Sequence, residues 1–120
     1  MMFTVDLPLP PSVNGMFVRA HKNSKYGKTL SEAYKGWRNS CALYIKSEYR
    51  KAGEPIIGQP YGVFIRLGVN HNSDIDNRVK PILDLLTTNL PIPGDQWINR
   101  LMVERDQSID GASVEVVTLP

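Results

Sequence analysis

Residues Tyr61–Thr88 read YGVFIRLGVNHNSDIDNRVKPILDLLTT, and the two ends of this stretch obey different periods. Residues 61–69, YGVFIRLGV, are an apolar run of strand length, entered through Gly58 and Pro60. From about Asp76 to Thr88 the apolar residues Val79, Ile82, Leu83 and Leu86 recur at helical spacing, which predicts a helix with one buried face. Pro81 fits that helix only near its first turn, where few backbone donors have partners. A buried strand handing over to an amphipathic helix is the unit around which the rest must pack.

Toward the N-terminus, Ser31 is a plausible N-cap for a helix to about Lys51, with Tyr34, Trp37, Cys41, Tyr44 and Ile45 as its stripe and Gly53 as its stop. Residues 12–30 hold Asn14, Gly15, Asn23, Ser24 and Gly27 among Arg19, Lys22, Lys25 and Lys28 and show neither period, so a long basic loop is expected. Before it, Phe3, Val5, Leu7 and Leu9 alternate with Thr4, Asp6 and Pro8, predicting a half-buried strand ended by Pro10-Pro11. Toward the C-terminus, Pro91, Pro93 and Gly94 break the chain. Strands over Trp97–Glu104 and Ala112–Thr118 follow, joined at Asp110-Gly111 as a final hairpin. The expected order is β-α-β-α-β-β, a single α+β domain over residues 1–120 with a mixed sheet packed against two helices.

A chain of 120 residues with 42% hydrophobic and 22% charged residues suits one soluble domain, and is too short for two ordinary ones. Cys41 stands alone, so an internal disulfide or a thiolate metal site has no ligands. The opening MMFTVDLPLPPSVNG lacks a basic start and a long apolar run, and no stretch has the length to span a bilayer. A cytoplasmic protein without a membrane partner is the expectation. The net charge is only +2, but nine Lys/Arg against three Asp/Glu in residues 1–51 give +6, and five against nine in residues 52–120 give −4. That division suits a basic arm holding phosphates and an acidic cluster holding metal, although chance segregation of surface charge gives the same sums.

The chemistry-bearing segment is Asn72-Ser73-Asp74-Ile75-Asp76-Asn77-Arg78-Val79-Lys80. Two acids two positions apart stand where strand gives way to helix, and Lys80 follows Asp76 by one helical turn. Hard carboxylate oxygens at a surface are what Mg²⁺ needs, because it keeps several waters and takes phosphate oxygens as further ligands. Such an ion activates water and offsets charge in phosphodiester hydrolysis, and a nearby lysine can position the phosphate or protonate the leaving oxygen. The competing reading is a capped helix with a surface ion pair, since acids favour a helix's first turn. An EF-hand fits poorly, lacking its glycine and closing glutamate. Asp95, in Pro93-Gly94-Asp95-Gln96-Trp97, is a third acid that turn chemistry alone could explain. His21 and His71 are too isolated for a zinc pair, Asp84 reads as a solvated helix charge, and Asp106 and Asp110 as turn residues.

These motifs resemble the RusA family of Holliday-junction endodeoxyribonucleases, small proteins of bacteria and their phages. The likeness spans nearly the whole chain: Pro10-Pro11-Ser12-Val13-Asn14 resembles the family's Pro-Pro-Ser-x-Asn opening, and Asp74-Ile75-Asp76-Asn77-Arg78-Val79-Lys80 its Asp-x-Asp-Asn-x-x-Lys. The resemblance implies metal ligands at Asp74, Asp76 and, nineteen residues on, Asp95, with Lys80 needed for catalysis and Mg²⁺ or Mn²⁺ as cofactor. It also implies a homodimer that makes paired, symmetric cuts in four-way junctions during recombination and repair, since a two-fold assembly supplies two like sites. Some members carry arginines directly before the first motif aspartate. Here those positions are His71, Asn72 and Ser73, so the expected DNA contacts are Asn14, Arg19, Lys22, Lys25, Lys28 and Arg78. The alternatives are a non-catalytic module that binds junctions or single strands, and a nuclease of wider taste for flaps and branches.

Overall fold

The computed structural model describes residues 2–12, 17–19 and 28–120, and leaves aside the side chains of residues 17–19 and 28–30. The elements are β1 (Met2–Leu7), β2 (Phe17–Arg19), β3 (Lys28–Leu30), α1 (Glu32–Lys51), β4 (Tyr61–Leu67), α2 (Val79–Asn89), β5 (Ile98–Arg105) and β6 (Ala112–Thr118). Apart from the short antiparallel pair β2 and β3, this is the β-α-β-α-β-β order and the α+β class that the sequence predicts. The pair lies where periodicity shows only loop, because three-residue strands are too short to display a period.

The main sheet runs β1-β6-β4-β5 and is mixed: β4 and β5 are parallel, and β6 is antiparallel to both β1 and β4. The expected hairpin of the last two strands does not form. The chain leaves β5 at one edge and inserts β6 between β1 and β4, so Asp110-Gly111 turns the chain across the sheet's end. Gly111, at φ 74°, is needed there, since a Cβ would stand 2.4 Å from the Leu7 carbonyl oxygen.

Ser31 caps α1 as expected, its Oγ accepting from the Tyr34 N–H at 3.1 Å, and Gly53 ends the helix region at φ 88°. The buried stripe of α1 is Tyr34, Trp37, Cys41, Ile45 and Tyr49; Tyr44, expected in it, lies a quarter-turn away and is exposed. Helix α2 starts at Val79 rather than Asp76, and residues Asp76–Arg78 form a 3₁₀ turn. Pro81 supplies the reason, because an α-helix begun at Asp76 would need an N–H at Pro81 to bond back to Asn77. In the third position of α2 the proline removes no bond. Ile82 and Leu86 are buried with Leu85, and they join Trp37, Cys41 and Ile45 of α1 over the inward residues of β1, β4 and β6.

Strand β5 is different. In β4 only Phe64 and Arg66 are not buried, yet Leu101 and Met102 of β5, which point to opposite faces of the sheet, are 47% and 51% exposed. The helical layer thus stops short of this edge. Among the described residues, no helix is long and apolar enough to cross a membrane.

Candidate active site

The β4-α2-β5 crossover separates the expected acids. Because β4 and β5 run parallel, with Tyr61 opposite Ile98 and Leu67 opposite Arg105, the turn after β4 and the turn before β5 lie at opposite ends of the sheet. Asp74 and Asp76 belong to the first turn and Asp95 to the second, separated by the length of the strands, about 20 Å at 3.3 Å per residue. No three His, Cys, Asp or Glu side chains among the described residues gather as a metal-holding group. Within one chain Asp95 therefore stands apart from Asp74 and Asp76, which share one turn.

Each turn has its own anchor. The first leaves β4 through Gly68 and closes with the Ser73 N–H donating to the Asn70 carbonyl at 3.2 Å. Arg105, at the end of β5, donates from Nη1 to the Asn70 carbonyl and from Nη2 to the Ser73 carbonyl, both at 2.9 Å. The residue immediately after this clamp is Asp74, whose Oδ2 accepts from Asn77 Nδ2 at 3.5 Å. Asp74 and Asp76 are exposed, and neither forms an ion pair among the described residues. The second turn is held from beneath by Tyr61, whose buried hydroxyl donates to the Pro93 carbonyl at 2.8 Å. Burial, and secondarily the Asp95 charge, pushes the Tyr61 hydroxyl pKa above its ordinary value.

Arg78 turns inward. Its Nη1 donates to the Pro10 carbonyl, and its Nε is buried with no hydrogen-bond partner among the described residues. Two residues earlier, the Pro8 carbonyl accepts from Trp37 Nε1 at 2.9 Å. The Pro8–Ser12 segment is thereby tied to α1 and to the acidic turn at once. Ser12, Asn72, Ser73, Asp74, Asn77 and Arg78 line a common polar recess. Lys80 is exposed on the first turn of α2, and its ammonium pairs with Asp84 at 3.4 Å rather than with Asp76.

Of the expected DNA contacts, Asn14, Lys22 and Lys25 lie outside the described residues. Arg19 and Lys28 stand opposite each other in the β2–β3 register, with their side chains also outside the description. Arg105 and Tyr61 were not legible as site residues: a basic residue ending a strand and an aromatic residue starting one carry no sign of the carbonyls they bind. Asn77 was quoted within the motif, and the structure adds its contact with Asp74.

The model of the endodeoxyribonuclease RusA family matches residues 8–117, taking in the opening Pro-Pro segment, both acidic turns and Lys80. The chain belongs to the RusA family. No curated protein matches it. Membership marks the chain as an endodeoxyribonuclease of the Holliday-junction-resolving kind. Two exposed carboxylates, Asp74 lining the polar recess and Asp76 two residues on, fit part of a hard-cation site: the donors are oxygen, and among the described residues no lysine or arginine forms an ion pair with them. Asp95 stands at the far end of the same sheet edge.

Proposed function

We propose that this chain acts as a Mg²⁺-dependent homodimer, with Mn²⁺ as substitute, making paired symmetric cuts in four-way DNA junctions in the cytoplasm during recombination and repair. The observation that carries this reading is the placement of Asp74 and Asp76 at one end of an exposed edge strand and Asp95 at the other. If β5 pairs antiparallel with β5 of a second copy about a two-fold axis, the start of one strand meets the end of the other. Each partner's Asp95 then arrives beside the turn that holds Asp74 and Asp76. The same pairing would satisfy the open backbone edge and cover Leu101 and Met102, which a monomer leaves in water. Two identical sites follow from one symmetry operation, which is what two cuts on strands of like polarity require.

In this arrangement Asp74, Asp76 and the second copy's Asp95 supply the ligand oxygens, and Mg²⁺ when bound would acidify the attacking water and offset charge on the phosphate. The turn clamped by Arg105 fixes where those carboxylates point. Among the described residues the ion pair of Lys80 is the exposed one with Asp84, worth about 0.3–0.5 kcal/mol in such helix positions, so an arriving phosphate can take over its ammonium. From there Nζ–H can donate to a phosphate oxygen and deliver a proton to the leaving oxygen as the phosphorus–oxygen bond breaks. The basic sequence of residues 19–28, with Arg19, Lys22, Lys25 and Lys28, suits phosphate contacts that recognise branch shape.

Asp76→Asn tests the reading. The variant is expected to bind a synthetic four-way junction as the parent does and to lose cleavage in Mg²⁺, whereas the parent cuts two opposed strands and stops in EDTA. Metal-independent cutting, or full cleavage by pure Asp76→Asn protein, contradicts it. Junction binding with no cleavage by the parent points to the non-catalytic module instead, and equal cutting of flaps and linear duplexes to the broader nuclease.

A further inference from the structure

Arg105 is the one side chain that reaches from the sheet's edge strand into the acidic turn, and it does so with both arms of its guanidinium. Nη1 takes the Asn70 carbonyl and Nη2 the Ser73 carbonyl, each at 2.9 Å, so the two ends of a four-residue turn are bound to one rigid planar group. Within the turn, the Asn70 side chain accepts from the Asn72 N–H at 2.9 Å, and Ser73 N–H returns to Asn70. Residues 70–74 are exposed or half-buried, between Val69 and Ile75, which pack on the core. Between those ends polar contacts hold it: Gln107 meets the His71 ring at 3.2 Å, Asn77 donates to Asp74 at 3.5 Å, and the Arg105 fork is, among the described residues, the side chain that binds two of its backbone carbonyls.

We infer that Arg105 is a positioning residue for the metal site: it fixes the backbone directly before Asp74 and ties that carboxylate to the strand along which the second copy docks. This rests on the proposed nuclease reading and deepens it. Arg105 itself touches neither acid; it acts through the Ser73 carbonyl on the orientation of the next residue. Partners that orient metal ligands in this indirect way typically contribute about 10- to 100-fold to metal affinity or rate. A lysine can reach one carbonyl but cannot bridge both, so the conservative change should keep part of the effect.

The test compares the parent, Arg105→Lys and Arg105→Ala as full chains, with thermal melting to show that each is folded. Mn²⁺ affinity is read by electron paramagnetic resonance without DNA, and kcat, KM and the half-saturating Mg²⁺ concentration are read on a four-way junction. The expected result is about 10- to 100-fold weaker Mn²⁺ binding and a comparable loss of kcat for Arg105→Ala, intermediate values for Arg105→Lys, and KM for the junction unchanged. Unchanged Mn²⁺ affinity in a folded Arg105→Ala overturns the inference. So does a rise in KM with metal dependence intact, which would make Arg105 a DNA contact. A parent that binds Mn²⁺ but cuts no DNA sinks the nuclease reading alone, and Arg105 is then judged by Mn²⁺ affinity. A parent that binds no Mn²⁺ overturns both.

Discussion

Tyr61 ties the core to the second acidic turn through a single hydroxyl. The residue has no exposed surface, and its hydroxyl ends on the Pro93 carbonyl two residues before Asp95. Tyr61→Phe keeps the ring and loses that bond, so a destabilisation of about 1 kcal/mol is expected from urea unfolding at neutral pH. An unchanged midpoint there would contradict the anchor. The pH dependence follows from the raised pKa: the folded protein holds the phenolic proton more tightly than the unfolded chain does. This stability is complete below the unfolded value, near pH 10, and is lost as pH rises through the higher folded value. Tyr34 and Tyr49 are pushed the same way by burial, so Tyr61→Phe should reduce the alkaline loss without abolishing it. At this scale the sequence shows residue type and spacing, as in the run from Asp74 to Lys80. It was silent where a side chain binds a distant backbone carbonyl, as Arg105, Arg78 and Tyr61 do.

Elements obey local rules as far as local rules reach. Helix α1 could be read from its cap to its stop because Ser31, the apolar stripe and Gly53 all act within a few residues of the helix they shape. Ser31→Ala should therefore cost about 1 kcal/mol by the loss of the bond from the Tyr34 N–H, seen as a lower unfolding midpoint. A gain in stability would sink that account of the cap. The start of α2 was harder, because Pro81 forbids one bond but does not say what replaces it; the 3₁₀ turn at Asp76–Arg78 does. That replacement matters for the site, since Lys80 then pairs forward with Asp84 instead of back with Asp76. Strands β5 and β6 were placed within a residue or so, yet their expected pairing was wrong. Alternation reveals which face of a strand is buried, and it does not reveal which strand lies beside it; β6 joins β1 through partners more than a hundred residues away, such as Phe3 opposite Val116.

The whole molecule sets the largest constraint on function, because a parallel β4-α2-β5 unit must put its two connecting turns at opposite ends. No adjustment of side chains brings Asp95 to Asp76 across about 20 Å within one chain. The exposed edge of β5, with Leu101 and Met102 uncovered, is the surface on which the proposed second copy would pair. Sequence could not reveal that Asp95 lies at the other end of the sheet from Asp74 and Asp76, since that depends on strand direction in the finished sheet. Each site is proposed to take Asp74 and Asp76 from one chain and Asp95 from the other. This sharing is tested by co-expressing Asp76→Asn and Asp95→Asn chains with different tags and purifying the heterodimer. One of its two sites then combines the intact Asp74 and Asp76 of the Asp95→Asn chain with the intact Asp95 of the Asp76→Asn chain. In Mg²⁺ the heterodimer should nick one strand of a four-way junction while both homodimers stay silent. A silent heterodimer, beside a parent protein that cleaves, would show that the sites are not shared.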